Sequence, residues 1–350
     1  MKRIIFNKRI FNKRIIFGIG AIACAAVALA QNQGAQAPNA QQNQNAQVKV
    51  FPVRGNIYML SGAGGNITLS VGPDGILMVD TGLANMSDKV IAAVNQLAET
   101  VATKGLSGVN VAPPHPIRFI INTHVHPDHT GGNAKLALTG RTFTGGNVSR
   151  NLNEGAQIYA HENVLNAMAA MKPPIVFEAQ PTDTYHTDYM NLSHFFNGEG
   201  VQIFFAPAAH TDGDSMVYFR GSDVLATGDI FTPGRYPIVD LAHGGSVEGL
   251  IDALNRILEI AVPEFRLEGG TLMVPGHGRV TDSADVAYYR DMVTIIRDRI
   301  QDAIKRGLTL DQVKAAKLTL DYDGIYGATT GIWTTDMFIE AMYKGLSQKK

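Results

Sequence analysis

The chain has 350 residues, 45% of them hydrophobic, and its 30 basic and 31 acidic side chains leave a formal net charge of −1. That is enough apolar mass for a substantial core, and the absence of a basic stripe beyond the first residues argues against a nucleic-acid partner, whose phosphates need clustered Lys and Arg. The one cysteine, Cys24, falls in an apolar stretch near the N-terminus, so the rest of the chain has neither a disulfide nor a thiolate metal ligand.

Lys2, Arg3, Lys8, Arg9, Lys13 and Arg14 make a basic start built on repeated Asn-Lys-Arg-Ile units, and the apolar run 15–30 follows, closing on Ala28-Leu29-Ala30. A basic region, an apolar region and a small-residue cleavage site read as a signal peptide over residues 1–30, which predicts a periplasmic or secreted protein with no stable membrane span in its mature form. An uncleaved anchor helix is the competing reading, weakened by an apolar stretch slightly short for a span. Ala21-Ile22-Ala23-Cys24 is a poor lipoprotein box. Residues 31–47, rich in Gln, Asn and Ala, read as a disordered spacer with nothing to bury. Residues 48–350 are long for one domain but normal for a single large α/β sandwich.

Within that domain, 47–80 alternates strands with the Gly-rich turns Gly62-Ala63-Gly64-Gly65 and Gly72-Pro73-Asp74-Gly75. Val90, Ile91, Val94 and Leu97 fall on one face of a helix predicted over 86–99, and 102–116, with Pro113-Pro114-His115-Pro116, reads as a loop. A strand at 117–123 leads to a helix opening near Gly132. Next come a strand at 156–160, a helix at 162–171, and strands at 201–206, 215–220 and 223–228. A helix from Ser246 to about Ile260 precedes a strand at 271–275, and the tail is helical at 283–306, 310–317 and 335–346. Strands and helices in both halves suggest two sheets with outer helices, and the tail 283–350 is expected to pack on this sandwich rather than form a second domain.

The chemistry is concentrated at strand ends. Thr123-His124-Val125-His126-Pro127-Asp128-His129 places three imidazoles and a carboxylate just after the apolar run 117–121. A turn after a strand aims such side chains at one point, and these are the ligand types of a catalytic zinc site. Three further apolar runs end in the same types: Phe204 to His210, Val224 to Asp229 and Leu272 to His277. Each alone is an ordinary loop residue; together with the first cluster they supply seven ligands, enough for two metals.

His124, His126, Asp128 and His129 reproduce the H-x-H-x-D-H motif, and with His210, Asp229 and His277 the set closely resembles the metallo-β-lactamase superfamily over most of the mature chain. The resemblance implies a four-layer αββα sandwich, here with a C-terminal helical extension. It also implies two Zn2+ per chain: His124, His126 and His210 on one, Asp128, His129 and His277 on the other, and Asp229 bridging. A hydroxide between the metals would then attack an ester, lactone, thioester or amide carbonyl in a small-molecule substrate, with Asp128 as the catalytic proton carrier. Asp80 matches the family's buried aspartate that braces the metal loop; an N-cap for the following helix is the alternative.

The best-known zinc β-lactamases resemble this pattern with Cys at the position of Asp229, so β-lactam cleavage is expected at most as one activity among those of the wider hydrolase group. An iron-dependent sulfur dioxygenase of the same superfamily is the alternative function. Tyr236 and His243 either reach the pocket rim or, respectively, pack and cap the next helix. His161 is expected to pack or cap at a strand–helix junction. His186 and His194 are expected at the surface of a loop-like stretch from Tyr185 to Phe196, and Asp212 and Asp214 to shape the turn after His210. Nothing in the sequence indicates the oligomeric state.

Overall fold

Seven strands form the first sheet of the computed structural model: β1 (Lys49–Arg54), β2 (Ile57–Ala63), β3 (Gly65–Gly72), β4 (Gly75–Val79), β5 (Ile117–Ile121), β6 (Gln157–His161) and β7 (Asp183–Tyr185), in that spatial order. β1 to β4 pair antiparallel, and β4 to β7 pair parallel. The second sheet runs β12-β11-β10-β9-β8, from β8 (Tyr189–Asn191), β9 (Val201–Ala206), β10 (Asp214–Phe219), β11 (Val224–Gly228) and β12 (Leu272–Pro275). Only β11 and β12 are parallel neighbours in it. The structure describes residues 46–104, 117–141, 155–192, 195–261 and 269–348. The predicted signal, all but the end of the spacer, most of the predicted loop 102–116, and His194 lie outside them.

The period of two in the strands sets the layers. In β4, Leu77 and Val79 face inward with Phe119, Ile121, Val217, Phe219 and Val274, forming the core between the sheets, while Ile76 and Met78 face the other way. That outer face is covered by α1 (Ser87–Lys104), through Val90, Val94 and Leu97, and by Leu136 of α3 (Asn133–Thr139), which follows the short α2 (Pro127–Thr130). α4 (Glu162–Ala170) packs Val164 and Met168 against Val125 and Ala160.

Met216, Tyr218, Leu225 and Met273 face outward from the second sheet onto α5 (Val247–Ile260) and α6 (Ser283–Lys305). With them pack Val313 of α7 (Leu310–Ala315), Tyr326 of α8 (Asp323–Tyr326) and Phe338 of α9 (Thr335–Ser347). The result is the expected α/β sandwich with a helical C-terminal region on one outer face. Among the described residues, no helix is long and apolar enough to cross a membrane.

One expectation needs correcting. The stretch from Tyr185 to Phe196 is not simply loop-like, because β8 pairs Tyr189 with Phe204 and Asn191 with Gln202 at the edge of the second sheet. Tyr189 and Asn191 are exposed and Met190 is half-buried, so this short edge strand carries no run of apolar residues for a sequence pattern to reveal.

Candidate metal centre

β4, β5, β9, β11 and β12 all deliver their C-terminal ends to one edge of the sandwich. Asp80 follows β4, residues 124–129 follow β5, His210 follows β9, Asp229 follows β11 and His277 follows β12. Cross-links hold the two sheets in register there. The Asn66 amide donates to the Gly276 carbonyl at 2.6 Å, and its side chain donates to the carbonyls of Pro275 and Gly278 at 2.9 Å each, fixing the His277 turn. The Ser215 amide donates to the Thr123 carbonyl at 2.7 Å, tying the metal loop to β10. Two glycines make room: a Cβ on Gly65 would lie 2.6 Å from Cε1 of His129, and one on Gly276 would collide with the Asp229 carboxylate.

Four imidazoles each have one nitrogen committed to the protein. His129 Nδ1 donates to Asp80 Oδ2 at 2.7 Å, His210 Nδ1 to the Ile238 carbonyl at 2.7 Å, and His126 Nε2 to Asp240 Oδ2 at 2.8 Å. The Thr123 hydroxyl donates to Asp80 at 2.8 Å, so it can only accept from His124 Nδ1, 3.0 Å away. Acceptor-only partners force the proton onto those nitrogens and leave the opposite lone pairs for the centre. Those freed atoms converge. His126 Nδ1 lies 3.1 Å from His124 Nε2 and 3.0 Å from His210 Nε2. A tetrahedral zinc with bonds of about 2.0–2.1 Å has ligand–ligand edges of about 3.3 Å, so this trio fits one ion.

The second group joins Asp128, His129 and His277: His277 Nε2 is 3.1 Å and His129 Nε2 3.8 Å from Asp128 Oδ2. Asp229 stands between the groups. Its Oδ1 lies 3.4 Å from His129 Nε2, and its Oδ2 lies 3.5 Å from His277 Nε2 and 4.0 Å from His210 Nε2. Both His129 Nε2 and Asp229 Oδ1 are buried with no hydrogen-bond partner, a costly pairing unless a cation satisfies both. The orphaned donors, the spacing and the nitrogen–oxygen chemistry all suit divalent metal ions.

Burial pushes His124 well below the usual histidine range, helped by the neighbouring imidazoles, and pushes His210 down to about 4. Both are therefore neutral and ready to bind at neutral pH. Burial would lower His129 too, but Asp80, Asp229 and Asp128 raise it well above the ordinary value. For Asp229 and Asp128 burial works upward and loses to the facing imidazoles, chiefly His277 and His129 for the first and His129 for the second, which hold both carboxylates low.

The remaining sequence candidates separate clearly. Asp80 is buried, has φ +65°, and accepts from the Thr123 amide, the Thr123 hydroxyl and His129, so it braces the loop; the N-cap position of the turn after it is Leu83. Tyr236 is buried away from the centre, stacked on Phe338 with centroids 4.4 Å apart, and its hydroxyl donates to Asp323. His243 does not cap α5, a task done by Ser246; it donates to Asp240 at 2.7 Å. His161 caps α4 and stacks on Phe205, and His186 is exposed. Asp214 accepts from the amide and hydroxyl of Thr211, shaping the turn after His210.

Two residues at the centre escape the sequence reading, Asp240 and Arg235. Asp240 orients His126 and His243 and ends the apolar run Pro237-Ile238-Val239, the same signal that marks Asp229. Arg235 places Nη2 3.7 Å from Asp229 Oδ2, and nothing local in the sequence distinguishes it from a surface turn residue.

Residues 60–147 match the family described as the Metallo-beta-lactamase superfamily. A linear primary-alkylsulfatase from Pseudomonas sp. (strain ATCC 19151) is 21% identical over 285 residues, 69% of this chain and 47% of that protein. The probable metallo-hydrolase YqgX of Bacillus subtilis (strain 168) is 25% identical over 178 residues, 47% of this chain and 69% of that one. Among solved structures, the stereoselective inverting sec-alkylsulfatase Pisa1 from Pseudomonas sp. superposes with a TM-score of 0.61 at 16% identity, covering 87% of this chain and 50% of that one. The DIM-1 metallo-beta-lactamase superposes with a TM-score of 0.51 at 14% identity, covering 71% of this chain and 97% of that one. This chain thus spans about half the length of the two alkylsulfatases. At such identities the structural likeness concerns the fold.

Proposed function

We propose that this chain, whose residues 60–147 match the metallo-β-lactamase superfamily, is a binuclear zinc hydrolase of that superfamily acting on an ester, lactone, thioester or amide bond of a small molecule outside the cytoplasm. The observation that carries this reading is Asp229, whose two carboxylate oxygens face the freed imidazole nitrogens of both ligand groups. Zinc bound there supplies Lewis acidity and brings the pKa of water toward neutrality. The protein's part is to hold and orient. His124, His126 and His210 would hold one ion, and Asp128, His129 and His277 the other, with the tautomers of His124, His126, His210 and His129 set from behind by Thr123, Asp240, the Ile238 carbonyl and Asp80.

Asp128, partly open to solvent beside His277, is the carboxylate at the centre placed to accept a proton and return it to the leaving group. The scissile bond belongs to an ester, lactone, thioester or amide, and the two alkylsulfatase relatives extend that range to sulfate esters. Two measurements on one sample of mature protein test the proposal. Metal analysis is expected to give close to two zinc per chain, and an aryl ester, an acyl lactone, a thioester, a β-lactam and an alkyl sulfate are offered as substrates. One iron per chain, or fully loaded protein inert to the whole panel, overturns it. Export predicts a secreted form whose first residue is Gln31, readable by mass spectrometry.

A further inference from the structure

His126 belongs to two ligand groups. Its Nδ1 faces His124 and His210 in the first trio, and on the other side of the ring its Nε2 donates to Asp240 Oδ2 at 2.8 Å. His243 Nδ1 reaches the same carboxylate oxygen at 2.7 Å, and the rings of His126 and His243 meet edge to face with centroids 5.7 Å apart. His126, Asp240 and His243 thus offer one ligand atom each within 4.8 Å of one another, two imidazoles and a carboxylate of the kind divalent ions take. The amides of Ala242 and His243 donate to Asp240 Oδ1 at 3.0 and 3.2 Å, which fixes the carboxylate and leaves Oδ2 to this outer group. Opening its two short contacts by about half an ångström gives the ligand edges of about 3.3 Å that a tetrahedral zinc needs.

Exposure falls along this line toward the centre. The side chain of His243 is 40% exposed and those of His126 and Asp240 20% and 18%, whereas His124 and His210 are wholly buried. The second trio has its own opening, through the partly exposed Asp128 and His277. A neutral imidazole carries one free lone pair, so His126 serves the outer group or the first trio, not both at once. Each choice has a place for the ring proton. On Nε2 it points to Asp240, and on Nδ1 it points to His124 Nε2 and His210 Nε2, 3.1 and 3.0 Å away. We propose that His243, Asp240 and His126 form a capture site for a divalent metal ion, which is held there first and then passed to the first trio as the His126 proton returns to Nε2. This rests on the two-metal centre proposed above and not on the bond it cleaves.

The test mixes metal-free protein with Co2+ in a stopped-flow cell, follows the visible absorbance of the bound ion in wild type and His243→Asn, and measures total metal at the end. Asparagine keeps an N–H donor for Asp240 near the place of Nδ1 and removes the ligating nitrogen. Wild type is expected to show one uptake phase for each trio. His243→Asn should slow one phase by roughly tenfold or more, the cost of a lost contact in the captured state, and leave the other phase and the final content unchanged. In a second arm at equilibrium, His210→Gln cripples the first trio and should still hold a weaker second cobalt ion, lost when His243→Asn is added. Two unchanged phases, or a single cobalt ion in His210→Gln, overturn the capture site. An equal slowing of both phases, or a lower final metal content in His243→Asn, makes His243 a structural partner of Asp240 and overturns it too. If wild type binds a single ion, the two-metal reading is what fails, and the capture site then stands or falls on whether His243→Asn slows that one phase.

Discussion

Asp80→Asn isolates the tautomer argument from the packing of the site. The amide is nearly isosteric and, like Asp, tolerates the φ of +65°, so the backbone has no reason to move. The Thr123 amide still needs an acceptor at 2.7 Å, so the new amide oxygen must take that place. Its NH2 then faces the Thr123 hydroxyl and His129 Nδ1, positions now 2.8 and 2.7 Å from Asp80 Oδ2. A donor facing Nδ1 moves the imidazole proton to Nε2, the atom that faces Asp128 and Asp229. The second ligand group thereby loses one of its two nitrogen donors, while in the first the Thr123 hydroxyl, no longer donating to residue 80, becomes free to donate to His124 Nδ1. Changes at such supporting contacts cost about 10- to 100-fold in metal affinity, or about 1.4–2.7 kcal/mol, and the upper end is expected because a ligand is lost rather than loosened. Zinc affinity by competition with a chromogenic chelator should show the second site weakened by that amount and no gain at the first, while the metal-free protein is destabilised by loss of the buried Asp80–His129 pair. Two sites of wild-type affinity in Asp80→Asn would refute the reasoning.

Acidity supplies a second expectation. His210 is held near 4 against about 6.5 for a free imidazole, so the unfolded chain binds a proton between those values and the native chain does not. The part of the metal-free protein's stability that His210 carries is therefore complete above pH 6.5 and falls as the pH drops toward 4, by on the order of 3 kcal/mol, while buried Asp214, raised to about 8, acts in the opposite sense over this window. His129 shifts the other way, and its contribution is fully present below pH 6.5 and lost only at higher pH, so it does not mask this window. Urea denaturation at several pH values should show the His210 component as the difference between wild type and His210→Gln, a gap that changes between pH 6.5 and 4 and is constant above. Gly65→Ala puts a methyl 2.6 Å from the His129 ring and should displace that ligand, lowering zinc content toward one per chain while circular dichroism stays native. Tyr236→Phe removes the hydroxyl that donates to Asp323 and should cost about 1 kcal/mol, lowering Tm by about 2–4 °C, with kcat largely retained.

The sequence made the ligand cluster legible because His124 to His129, His210, Asp229 and His277 each follow a buried apolar run, and a strand fixes where its own end points. The long helices were legible for a related reason: Val90, Val94 and Leu97 lie on the face that packs on the first sheet. Information that depends on distant partners was not. Whether Tyr236 points at the pocket or away from it is decided by Phe338 and Asp323, roughly a hundred residues downstream. Asp240 bore the right local signal, but its role depends on His126, 114 positions earlier. β8 exists because β9 offers it an edge, and its own residues carry no pattern that announces it.

The ligands are also divided between the two halves of the fold. Asp128, His129, His124 and His126 hang from the first sheet, and His210, Asp229 and His277 from the second, so each trio draws two donors from one half and one from the other. An ion seated in either trio is thus a rivet across the seam between half-domains. Its binding free energy opposes their separation and adds to cohesion by mass action. Fragments severed near residue 187, between β7 and β8, should accordingly reassociate more tightly with zinc than in chelator, which would make reassembly itself a sensor of metal supply.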